Sequence, residues 1–261
     1  MSAIVLKQGV LHYEAMGRGS QSLVFLHGWL GSWRYWVPAM EELSTTRRTY
    51  AFDMWGFGDS EKHHDYACGA YADLLQAFLD EMGVRRAALV GHSLGGLVAL
   101  RFAARSPDRV KAVMGVSVPL METSMDRSFV GFSRNGDGLT RLIARQASFP
   151  EVEREARKAD LNAIASSVRW AIDSDLRQLS LPPSVPVLLV HGAEDTLIEA
   201  PRPAWLREVS ESSRVVFLDG ARHFPMLESK NKFNRLVMAF LRAGGDLDSV
   251  ELKEEWRRRL R

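Results

Sequence analysis

The first 119 residues alternate between two periods. Residues 4–7, 10–15, 22–26, 49–52, 87–90 and 110–116 are short runs rich in β-branched, aromatic and other apolar residues. Several are apolar without interruption, as strands buried on both faces are. Between them, residues 33–43, 71–82 and 94–105 carry apolar positions at helical spacing; Leu74, Leu75, Phe78, Leu79 and Met82 fall on one face. Strands alternating with such helices predict βαβ units and a mostly parallel sheet. The two strands before Gly17 are too close for a helical crossover, which predicts an antiparallel hairpin at one sheet edge.

The rhythm breaks after Val118-Pro119. Residues 120–184 show no convincing buried strand; 137–147, 151–159 and 161–176 read as helices. Strands resume at 187–190 and 215–218, and a final helix is predicted at 231–242. The expectation is an eight-stranded α/β body formed by residues 1–119 and 185–243, with a helical cap at 120–184 and a helical tail at 244–261. The cap, about 65 residues, exceeds an ordinary connection several-fold, so a task of its own is expected for it. In the tail, Glu254 and Arg258, and Glu255 and Arg259, are spaced for pairing on a solvated helix.

Composition narrows the function classes. The 34 basic and 32 acidic residues leave a net charge of +2, too small to imply a nucleic-acid or membrane-surface partner. Cys68 is the only cysteine, which excludes an internal disulfide and a cysteine-based zinc site. The N-terminal apolar run spans only four residues, no stretch approaches a membrane span, and a cytoplasmic protein is expected.

The chemistry is concentrated in Gly91-His92-Ser93-Leu94-Gly95-Gly96, between a predicted strand and a predicted helix. Gly-x-Ser-x-Gly in that context is a nucleophile elbow. The sharp turn strains the serine backbone and lifts its hydroxyl clear of the sheet, while the glycines leave room for the turn. Serine needs a base. Of seven histidines, His223 follows the last predicted strand, in Asp219-Gly220-Ala221-Arg222-His223, and is preferred. Asp195, in the loop after strand 187–190, is the preferred acid; Glu194 and Asp219 are its neighbours in the comparison.

The order Ser93, Asp195, His223 is that of the α/β-hydrolase triad. With it, His27-Gly28-Trp29 resembles the oxyanion loop of the α/β-hydrolase fold superfamily, and Asp53-Met54-Trp55-Gly56-Phe57-Gly58-Asp59-Ser60 resembles its glycine-bearing loop after the fourth strand. Residues 4–241 look most like the small capped esterases and cofactor-free haloperoxidases of that fold, with helices on both faces of the sheet. Arg222 departs from the glycine that often precedes the family's histidine. The resemblance implies backbone oxyanion donors at Trp29 and Leu94.

The expected activity is serine hydrolysis of a carboxylic ester or thioester through an acyl-enzyme. Carbon–carbon hydrolysis, perhydrolysis and a non-catalytic receptor role are the alternatives. Serine at the elbow argues against the dehalogenases and epoxide hydrolases of this fold, which attack with a carboxylate. No nucleotide-binding loop is present, and His63-His64-Asp65 lacks metal-ligand spacing, so no cofactor and no metal are expected. The expected partner is a small acyl substrate, apolar because the cap carries Leu139, Leu142, Ile143, Phe149, Ile164, Val168 and Trp170.

Overall fold

The computed structural model describes residues 2–62, 66, 69–126, 149–174, 176, 179, 181–201, 212–244, 246, 247 and 250. The helix predicted at 137–147, most of the predicted tail, His63, His64 and Cys68 lie outside them. Among the described residues, eight strands form one sheet: β1 Ser2–Leu6, β2 Gly9–Met16, β3 Ser22–Leu26, β4 Arg48–Phe52, β5 Ala87–His92, β6 Val110–Val116, β7 Val187–Gly192 and β8 Ser213–Leu218. Their order is β1-β2-β4-β3-β5-β6-β7-β8. β1 and β2 form the edge hairpin, β2 meets β4 antiparallel, and all other pairings are parallel.

The helices are α1 Val37–Leu43, α2 Ala70–Glu81, α3 Leu94–Arg105, α4 Pro150–Ala156, α5 Leu161–Asp173, α6 Pro225–Glu228 and α7 Lys230–Ala243. Strand register decides which face each covers. Phe25 pairs with Ala51, so Tyr50 and Phe52 point the other way. Phe25 packs on Trp36, 4.9 Å between ring centroids, and Trp36 packs on Phe233 of α7. On the opposite face Phe52 and Tyr50 pack on Phe78 of α2. The first face is shared by α1 and α7, the second by α2 and α3.

Several predicted boundaries move. The helix expected at 33–43 divides into a 3-10 turn, Trp33–Trp36, opened by Ser32, and α1, whose first turn holds Pro38. Proline has no N–H to continue a hydrogen-bond ladder, so the helix restarts there. The helix expected at 161–176 ends at Asp173, where Ser174 leaves the helical region and its hydroxyl donates back to the Trp170 carbonyl. β5 and β7 run on into His92 and Gly192, because His92 pairs with Val116 and Gly192 with Leu218.

Between β6 and β7, Asp160 caps α5 by accepting from Asn162 N. α5 buries Ala163, Ile164, Ser167, Val168 and Trp170, and packs on α3 and the 3-10 turn Glu122–Ser124. No helix among the described residues is long and apolar enough to cross a membrane.

Candidate active site

Ser93 is the one residue between β5 and α3. Its N–H still donates to Val116 O, while its carbonyl accepts from Gly96 N. The chain therefore changes from strand to helix within a single residue, at φ 51° and ψ −114°. Few residues other than glycine take a positive φ, and the strain is held by the sheet on one side and the helix on the other. A Cβ on Gly91 would lie 2.3 Å from Gly95 O, and one on Gly95 would lie 2.4 Å from Leu26 O. Both positions flanking Ser93 thus require glycine for close backbone approach, as the sequence reading expects.

His223 and Asp195 come together from the loops after β8 and β7. His223 Nδ1 donates to Asp195 Oδ2 at 3.0 Å, and both side chains are buried. The other carboxylate oxygen accepts from Leu197 N and Ile198 N, at 2.9 and 3.2 Å. Burial alone would raise the Asp195 carboxyl. The His223 ring and the two amides outweigh it and hold the group far below the usual carboxylate range. Gly192 permits the approach: a Cβ there would lie 1.9 Å from Arg222 O. Arg222 itself turns away to α6, its N–H donating to Glu228 Oε2 at 2.6 Å and its guanidinium lying 3.4 Å from the same carboxylate.

Gly28 lies directly over the elbow. A Cβ at Gly28 would sit 2.9 Å from Ser93 Cβ and 2.7 Å from His92 Nδ1. His27 steadies this loop by donating from Nδ1 to Gly28 O and accepting Met54 N–H at Nε2, each at 2.8 Å. Burial pushes its pKa down to about 4, so the ring stays neutral. The Trp29 indole donates to Ser167 Oγ of α5 at 2.9 Å. Leu94 is the first residue of α3, where backbone N–H groups lack helical acceptors.

His92 brings the elbow alongside His223, with ring centroids 4.8 Å apart. The expected hydrogen bond between Ser93 and His223 is not made: Ser93 Oγ is buried and has no hydrogen-bond partner among the described residues. The sequence-named residues are therefore assembled as a bonded acid–histidine pair beside a strained serine. Trp33, Trp55 and Trp170 are buried in the core.

Sequence reasoning missed a charged cluster beneath the 3-10 turn. Asp53 is fully buried and accepts from Trp33 N and Asp59 N, each at 2.8 Å. Burial raises its pKa to about 6 despite those bonds and nearby Arg34. Arg34 pairs with Asp59 at 2.6 Å and with buried Glu155 of α4 at 3.3 Å; Lys158 joins the same two acids at 2.9 and 3.0 Å. These partners lie up to 121 positions apart, and no local pattern marks them.

Residues 21–163 match the family described as alpha/beta hydrolase fold. The chain is 30% identical to a 2-hydroxy-6-oxo-2,4-heptadienoate hydrolase of Pseudomonas putida, over 92% of this chain and 96% of that one. It is 28% identical to a pimeloyl-[acyl-carrier protein] methyl ester esterase of Aeromonas salmonicida, over 87% and 98%. Among solved structures, the enol-lactonase of Burkholderia xenovorans LB400 superposes with a TM-score of 0.78 at 22% identity, covering 92% of this chain and all of that one. That match in sequence, over more than half the chain, agrees with the sheet order, the elbow and the acid–histidine pair: the chain belongs to the α/β-hydrolase fold family of enzymes.

Proposed function

We propose that the protein is a serine hydrolase of carboxylic esters or thioesters. Ser93 is the nucleophile, His223 the base and Asp195 the acid that orients it. The observation that carries this reading is the Ser93 backbone, held at positive φ between β5 and α3 with Gly28 against its Cβ. Structures retain such strain chiefly where function uses it.

The Asp195 carboxylate accepts a hydrogen bond from Nδ1–H of His223, which fixes the proton on Nδ1 and leaves Nε2 as the basic nitrogen. Nε2 accepts the Ser93 proton as Oγ attacks the acyl carbon, and the carbonyl electrons move onto oxygen. The Trp29 and Leu94 amides stabilise that oxyanion. His223 passes the proton to the departing alcohol or thiol, leaving an ester on Ser93. Water then repeats the sequence: it loses a proton to His223, attacks the acyl-enzyme, and releases the acid as Ser93 regains its proton. The hydrogen bond between Ser93 and His223 forms when substrate arrives, since catalytic hydrogen bonds are often long or poorly aligned before binding.

Residues 120–184 act as a cap that shapes the acyl site. The Trp29–Ser167 bond supports this, because it ties α5 to the oxyanion loop. An apolar acyl group remains the expected substrate.

One observation favours a second reading. The Pseudomonas putida relative is named for a substrate without an ester, so its hydrolysis must break a carbon–carbon bond. The same serine, histidine and aspartate would serve that reaction.

The test is Ser93→Ala, assayed with p-nitrophenyl butyrate and with a fluorophosphonate probe. A loss of at least about a thousandfold in kcat, with no labelling, is expected. Unchanged turnover would refute the assignment. A panel of esters against a 2-hydroxy-6-oxo-dienoate then separates the two substrate classes.

A further inference from the structure

Three loops meet at the site, and one buried chain of hydrogen bonds runs through all of them. Gly28 N–H donates to the Tyr35 hydroxyl. Tyr35 Oη lies 3.2 Å from His92 Nδ1. His92 Nε2 lies 2.8 Å from the carbonyl oxygen of His223.

The direction of each bond follows from chemistry. A carbonyl can only accept, so His92 Nε2 carries the proton. Burial drives the His92 pKa well below its ordinary value, with the nearby His223 ring acting the same way, so the ring is neutral and Nδ1 is an acceptor. Tyr35 therefore donates its hydroxyl proton to Nδ1; burial raises its own pKa, which keeps that proton in place. Tyr35, His92 and His223 also pack around Phe224, with ring centroids 6.3, 4.9 and 5.3 Å from it.

Each end of this chain is one residue or less from a reacting group. Gly28 precedes the oxyanion donor Trp29, His92 precedes the nucleophile Ser93, and the accepting carbonyl belongs to the base. We propose that Tyr35 and His92 are positioning residues that set the spacing of oxyanion loop, elbow and base. They touch neither substrate nor the transferred proton. The inference rests on the serine-hydrolase reading and adds two residues that the triad does not include. An error of about 1 Å in such spacing can lower turnover about a hundredfold.

The test compares Tyr35→Phe, His92→Phe, the double variant and His92→Gln with wild type and Ser93→Ala, using p-nitrophenyl butyrate. Tyr35→Phe and His92→Phe should each lower kcat about tenfold to a hundredfold with KM within about twofold. The double variant should be little worse than the poorer single one, because either change breaks the same chain. His92→Gln keeps an N–H that can reach the His223 carbonyl and should recover part of the loss. Nitrogen NMR of histidine-labelled wild type gives a readout free of folding effects. One buried ring should stay protonated at Nε2 and unprotonated at Nδ1 from about pH 5 to about pH 9, and His92→Gln should remove that signal. Full kcat in Tyr35→Phe beside an inactive Ser93→Ala would overturn the positioning role and leave the hydrolase reading standing. So would additive losses, or the opposite tautomer at His92. Turnover retained in Ser93→Ala would instead remove the hydrolase reading and this inference with it.

Discussion

Adding one methyl group at Gly28 should disable the site without unfolding the protein. In Gly28→Ala the new Cβ would lie 2.7 Å from His92 Nδ1 and 2.9 Å from Ser93 Cβ, where ordinary contacts begin near 3.4 Å. The buried elbow is fixed by β5, α3 and its own glycines, so the Gly28 loop must give way. The shift needed is roughly 0.7 Å, the difference between 3.4 and 2.7 Å. Oxyanion donors work at about 2.7–3.1 Å, so a shift that large carries the neighbouring Trp29 amide out of range. Losing one such donor costs about 2.7–4 kcal/mol of barrier, or about a hundredfold to a thousandfold in kcat. The assay is steady-state hydrolysis of p-nitrophenyl butyrate, with thermal melting as the control for folding. Gly83→Ala provides the contrast: φ there is +65° and a Cβ meets nothing within 4 Å, so it should lose about 1 kcal/mol of stability and no activity. A folded Gly28→Ala enzyme within about threefold of wild-type kcat would refute the placement of the oxyanion loop.

Stability should fall on mild acidification. Burial holds His27 and His191 near pKa 4 and lowers His92 well below its ordinary value, against 6.5 for an ordinary histidine. Below pH 6.5 the unfolded chain therefore binds up to three protons that the folded one refuses. Asp53, raised to about 6, acts in the opposite sense, since the folded state keeps its proton from there down to 3.8. The balance is on the order of 2 kcal/mol lost between pH 6 and pH 5, measured by urea unfolding at the two values; constant stability would contradict it. Arg34→Met should cost about 3 kcal/mol in the same assay, because it strips a partner from Glu155 and Asp59 and a nearby charge from Asp53. Arg105→Ala, which breaks a largely exposed pair with Asp73, should cost under about 1 kcal/mol. Equal losses would show that burial does not govern these pairs.

Periodicity and glycine placement determined a great deal of this molecule. The alternation of apolar strand runs with helical faces located all eight strands and the edge hairpin, because each element's buried face is written in consecutive residues. Gly91, Ser93 and Gly95 likewise state a local need, a one-residue change from strand to helix, and α3 spans the predicted residues 94–105. Asp195 could be preferred over Asp219 from its strand end, and the structure brings it within 3.0 Å of His223. Tertiary structure alone decided the rest. The division of 33–43 into a 3-10 turn and α1 sends Tyr35 to His92, 57 positions away. Asp53, visible in the sequence only as part of a loop, proved to be the buried anchor for Trp33 and Asp59. His92, one histidine among seven in the sequence, acquires a tautomer and a partner on each side only when β3, β5 and the loop after β8 converge. The physical reason is common to all three. Secondary structure answers to neighbours within a turn or two, whereas a buried polar group must find its partner wherever the fold brings one, and burial makes that partner obligatory.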